Sequence, residues 1–195
     1  MTPARTHPYF HAPACWAHHS WLESGRPVRH EWTLRAAHAF LFDRYPQLRQ
    51  ALPADAPDAL PAWSRPACAR LCRIAASLAL APSLRRIVAA SARTAFAASV
   101  APRVLEALQR HPRAASRELT VEPMPSPFDR REMTALGLAL AQQAGTGSGH
   151  AFWWSLRLPR EIAQRALTYR TPHLTMADAR DLLIDARRLM ETTRC

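Results

Sequence analysis

Seventeen prolines are scattered through 195 residues, and they decide what this chain can fold into. Proline lacks a backbone N–H and disfavours helix in the residue before it, so each one tends to open or close an element. Between the prolines, apolar residues recur three and four positions apart, the period of a helix buried on one face. No stretch alternates convincingly at period two, and β-branched residues are sparse. The expected fold is all-α: a single compact multi-helix domain with an extended N-terminal arm.

Residues 1–29 form that arm, rich in Pro and His and without a helical or strand period. Trp16 and Trp21 are costly to leave in water, so the arm must lie on something. Residues 30–195 make the helical domain. Its first helix, 30–50, carries Leu34, Ala37 and Leu41 with Ala36 and Phe40, and Pro46 closes it. A linker of three Pro and two Asp follows over 51–63.

Residues 64–117 are expected to pack as an antiparallel bundle of three helices. Ser64 caps the first, Pro66 fits its opening turn, and Leu71, Ile74 and Leu78 follow at helical spacing. Pro82 breaks that run. The second, 83–99, aligns Leu84, Ile87, Val88, Ser91 and Ala95; the third, from Pro102, turns Val104, Leu105 and Leu108 inward. After an extended connector over 120–127, residues 127–195 hold the C-terminal helices. Ser126 is the expected cap of the first of these, with Met133, Leu136 and Leu140 in line. A flexible glycine run spans 144–150, and a helix from Pro159 ends near Arg170. Thr175 with Asp178 reads as a capping box, with Asp for the usual Glu, opening a last helix on Ala179, Leu182, Leu183, Ala186, Leu189 and Met190.

The net charge is +11, and all 26 basic residues are Arg; Lys and Asn are absent while Ala and Pro abound. Such a bias is that of a GC-rich coding sequence, which accounts for part of the charge. The rest is local: residues 64–117 hold ten Arg against one Glu. A basic body of this kind suits an acidic protein surface, nucleic acid or anionic lipid. Arg70, Arg73, Arg85, Arg86 and Arg93 spread over two helices rather than lining one face, which favours a solvated surface.

Residues 1–19 lack the apolar stretch of a secretory signal, and the longest largely apolar run, 74–81, is eight residues. A spanning helix needs about 20. The expected location is cytosolic, with Cys15, Cys68, Cys72 and Cys195 as free thiols. Cys68 and Cys72 lie one helical turn apart, but no second ligand pair is placed near them, so they read as small core residues. His11, Cys15, His18 and His19 fall within nine residues, yet their spacing matches no zinc signature. Gly145, Gly147 and Gly149 lack the Lys and the preceding strand of a phosphate loop. Neither G-x-S-x-G nor H-E-x-x-H occurs. No catalytic, cofactor-binding or metal-binding residues are assigned.

Three stretches carry a resemblance. Trp16-Ala17-His18-His19-Ser20-Trp21-Leu22 is the first; the second runs from Leu60-Pro61 to Arg65, through Leu71, Leu78-Ala79-Leu80 and Leu84-Arg85-Arg86-Ile87, to Val104-Leu105 and Leu108-Gln109-Arg110. The third is Trp153-Trp154 followed by Leu156-Arg157-Leu158-Pro159. In this order they resemble the SctK proteins of bacterial type III secretion systems (YscK, MxiK and OrgA are relatives), and most of all the Hrp-type version of plant-associated bacteria. His19 stands where that family commonly has Pro. The resemblance implies a non-enzymatic adaptor of the sorting platform, peripheral at the inner-membrane base of the apparatus. Its partners would be the cytoplasmic forkhead-associated domain of SctD and the pod protein SctQ, and through SctQ also SctL and the SctN ATPase. Nucleic acid is not expected, and membrane contact only through SctD. Trp16, His18, Trp21, Arg85, Arg86, Arg93, Trp153 and Trp154 are the candidate partner-binding residues. The rival reading is a small Arg-rich helical regulator that binds nucleic acid; a zinc enzyme built on the His/Cys arm stands third.

Overall fold

A computed structural model describes residues 12–23, 25–27, 30–49, 64–86, 89–112, 119–145 and 150–192. The linker over 51–63 and the glycine run over 146–149 lie outside the described residues, as do His11 and Cys195. The elements are a helical turn α1 (Pro13–Trp16), a 3-10 turn (His19–Trp21), α2 (Glu31–Arg44), a second 3-10 turn (Pro46–Arg49), α3 (Arg65–Ala79), α4 (Ala81–Arg85), α5 (Ala90–Val100), α6 (Pro102–Arg110), α7 (Arg130–Ala144), α8 (His150–Arg157), α9 (Arg160–Ala166) and α10 (Met176–Thr192). The protein is all-α. Among the described residues the one β contact is an isolated antiparallel bridge, Glu122 to Arg170.

Side-chain caps set the starts of three helices. The Ser64 hydroxyl accepts the Ala67 N–H at 3.3 Å, and Pro66 sits in the first turn of α3. At α10 the box closes in both directions: Thr175 Oγ1 accepts from Asp178 N–H, and Asp178 Oδ2 accepts from Thr175 N–H. The cap of α7 is Asp129, not Ser126. Its carboxylate takes the Arg131 N–H at 2.7 Å, where negative charge also meets the positive end of the helix. Ser126 instead accepts the Asp129 N–H in the preceding turn.

α3 and α7 form the centre. α3 is buried at Cys68, Leu71, Cys72 and every position from Ile74 to Ala79; α7 is buried at Met133, Leu136, Gly137, Leu138 and Leu140, among others. They meet backbone to backbone. A Cβ added at Gly137 would lie 1.9 Å from the Cys72 carbonyl oxygen, so only glycine fits. α10 packs on both helices through Leu182, Ala186 and Met190.

Three sequence expectations change here. Residues 64–117 are not a bundle of their own: α3 packs mainly on α7 and α10, while α5 and α6 pair with each other beside it. The expected helix over 83–99 is broken. α4 ends at Arg85 and α5 begins at Ala90, which shifts the phase, so α5 buries Phe96, Ser99 and Val100 and leaves Ser91 and Ala95 exposed. The first helix ends at Arg44, with a 3-10 turn after Tyr45. It buries only Leu41, and Trp32 is 81% exposed.

Candidate functional site

The arm expected to be extended is folded where it is described. Residues 13–16 and 19–21 are helical turns, because Trp16 and Trp21 drive the segment into the core. The Trp16 ring stacks on Trp153 with centroids 4.8 Å apart. Trp21 packs edge-on to Tyr45 and Phe152, and its indole N–H donates to the Leu158 carbonyl at 2.8 Å. The His18 N–H donates to Leu156 O, and the Arg160 N–H to Ser20 Oγ. Residues 12–22 are therefore seated on α8 and on the turn into α9.

Two guanidiniums close the seat. Arg157, 5% exposed, donates to Trp16 O at 3.0 Å and lies over the Trp16 ring. Arg65 donates to Trp16 O and, at 2.6 Å, to Ala17 O. No carboxylate pairs with either among the described residues; carbonyl oxygens at the end of α1 accept from both, and the buried Arg157 Nε is left without a hydrogen-bond partner. Burial, and then the neighbouring Arg157, pull the Arg65 pKa below its usual range. Burial also raises the Cys68 thiol, which the adjacent Arg157 partly offsets, and raises Cys72 further. These thiols are protonated packing groups rather than nucleophiles.

Trp16, Trp21, Trp153 and Trp154 are all buried, and Trp153 keeps 2% of its surface. As partner contacts they are corrected to core residues: each indole buries too much apolar area to stay in water. His18 is half-buried, with Nδ1 turned to Ser20. Arg86 and Arg93 are exposed, as are Arg103 and Arg110 on α6. The side chain of Arg85 lies outside the described residues.

The basic segment thus divides by use. Arg65 and Arg73 work internally, Arg73 donating to Ser99 O at 2.9 Å and so, with Arg130 on Ala98 O, capping the C-terminal end of α5. Arg86, Arg93, Arg103 and Arg110 face outward, with Glu106 the acid among them in the described part of 64–112. Sequence reading had no signal for this partition, since each contact spans 26 residues or more.

A second polar cluster ties α7 to α9. The Tyr169 hydroxyl donates to Glu132, and Arg165 pairs with the same carboxylate at 2.7 Å. Burial first, then the Glu132 carboxylate, push the Tyr169 pKa up to about 12. A phenol held neutral in this way acts as a hydrogen-bond donor, not as a base. Among the described residues no three metal-ligating side chains meet: His38 faces Cys15, His18 faces Ser20, and His19 Nδ1 meets Gly25 O. No described helix is long and apolar enough to cross a membrane. What the surface offers is exposed Arg side chains on α5 and α6, Arg93, Arg103 and Arg110. No family model, no curated protein and no solved structure matches this chain.

Proposed function

We propose that this chain is a non-enzymatic cytosolic adaptor of a type III secretion sorting platform, joining the SctD cytoplasmic domain to SctQ. One observation carries the reading. The first and third stretches of the resemblance, far apart in sequence, fold against each other through Trp16 on Trp153 and Trp21 on Leu158. The outward Arg86, Arg93, Arg103 and Arg110 support a role in steering acidic partner surfaces.

The test is co-purification with the SctD cytoplasmic domain and SctQ of the same operon, at low and at moderate salt. Retention of either at moderate salt is the expected result. Arg93→Glu with Arg103→Glu should weaken capture and flatten its salt dependence while leaving the helical content intact. Loss of both partners, with nucleic acid co-eluting instead, would overturn the adaptor in favour of a basic nucleic-acid binder.

A further inference from the structure

Two imidazoles act as acceptors at the seated segment: His38 on α2 ties it to the body, and His18, within the segment, caps its 3-10 turn. The Ala14 N–H donates to His38 Nδ1 on α2 at 3.1 Å, and the Ser20 N–H donates to His18 Nδ1 at 3.2 Å. The Ser20 hydroxyl, 2.9 Å from the same His18 nitrogen, donates to it while accepting the Arg160 N–H. An imidazole nitrogen that accepts a backbone N–H must keep its lone pair, so both rings carry their proton on Nε2. Protonation at Nδ1 would set donor against donor at both ends of the segment.

We propose that residues 12–22 form an acid-releasable latch, detached from the helical body when His18 and His38 are protonated. The charged groups set against His18 are Arg65 from α3, Glu161 from α9 and its neighbour His19. Against His38 the segment presents the Cys15 thiol, with Sγ 4.0 Å from Nε2. Burial holds both imidazoles below their ordinary range; His19 and Arg65 push His18 the same way, and Glu161 opposes them.

The direction of the switch follows. A histidine whose folded pKa is depressed contributes its stability in full above about pH 6.5, and loses it as pH falls through the folded value. Each histidine weakens the closed state up to about tenfold for every unit its pKa lies below normal. The α3–α7 crossing holds no histidine and does not share this dependence.

The experiment is hydrogen exchange on the full chain, read as protection factors corrected for the pH dependence of intrinsic exchange. Between about pH 7.5 and about pH 5, protection over 12–22 should fall severalfold, while that of α3 and α7 holds. The double variant His18→Asn/His38→Asn places an amide oxygen where each Nδ1 stood and cannot titrate, so it should stay protected at both pH values. Unchanged protection in the native chain, equal loss in the variant, or parallel loss in α3 and α7 would each overturn the latch. Should the variant not fold, direct titration of the two imidazoles in the native chain decides the matter. A pKa at or above about 6.5 for both would sink the proposal.

Discussion

The α3–α7 crossing and the seated segment 12–22 both bury their contacts, yet they are held by different physics. At the crossing two backbones touch at Gly137 and Cys72, and the surroundings are small or aliphatic side chains. Nothing there titrates near neutral pH or exchanges readily with water. The segment rests on indole packing together with hydrogen bonds to the carbonyls of Trp16, Ala17, Leu156 and Leu158. Water can replace each of those hydrogen bonds, so the segment can open as a unit while the crossing opens only with the whole domain.

The largest effect should come from breaking the crossing. Gly137→Ala sets a methyl group against the Cys72 carbonyl, carbon and Cα, none of which can rotate away. The expected cost is on the order of 4 kcal/mol, near the limit for a single core change. Chemical denaturation would measure it. Adding Cys72→Ala should give no rescue, because the clash is with backbone; a rescue would mean that side chains, not backbones, set the spacing.

The two stacked indoles separate the regions next. Trp153→Ala removes a side chain shared by the body and the segment, so global stability should drop by about 3–5 kcal/mol. Trp16→Ala removes the same stack from the other side. Exchange over 12–22 should then rise sharply, with little change in the denaturation midpoint of α3 and α7. Equal global losses would show that segment and body unfold as one.

What the sequence could and could not show follows from range. Ser64 with Pro66, and Thr175 with Asp178, were readable because cap and helix lie within four residues. The need to cover Trp16 and Trp21 was readable too, but not that Trp153 and Leu158 would cover them, well over a hundred residues away. The stripe from Leu84 to Ala95 misled because it assumed one continuous helix, and the break after Arg85 re-phased α5 onto Phe96 and Val100. Arg93 and Arg157 look alike in sequence. One is exposed and the other is buried on a carbonyl, a distinction that only the tertiary fold makes.

A smaller, pH-dependent difference lies at Tyr169. Its folded pKa is raised, so the neutral phenol stabilises the fold below about pH 10, the unfolded value, and that contribution is lost as pH rises further towards about 12. Tyr169→Phe should cost about 1 kcal/mol at neutral pH by removing the donor to Glu132. The variant should also lack this part of the alkaline destabilisation, which denaturation at neutral pH and at about pH 11 would reveal. Arg165, exposed, keeps Glu132 partnered in the variant.

The smallest effect has the opposite sign. Ala101 joins α5 to α6 with φ 106° and ψ 147°, a conformation that an alanine Cβ resists. Ala101→Gly relieves roughly 1–3 kcal/mol of strain but gives back about 0.4–1 kcal/mol through a freer unfolded chain. The net expectation is a slightly raised melting temperature. Ala95→Gly, at an exposed interior position of α5, should instead lower stability by about 1 kcal/mol. The pair of glycines thus separates backbone strain from helix propensity within one helix. If Ala101→Gly destabilises as much as Ala95→Gly, the α5–α6 junction is unstrained and its geometry is set by Arg73 and Arg130 on the α5 carbonyls.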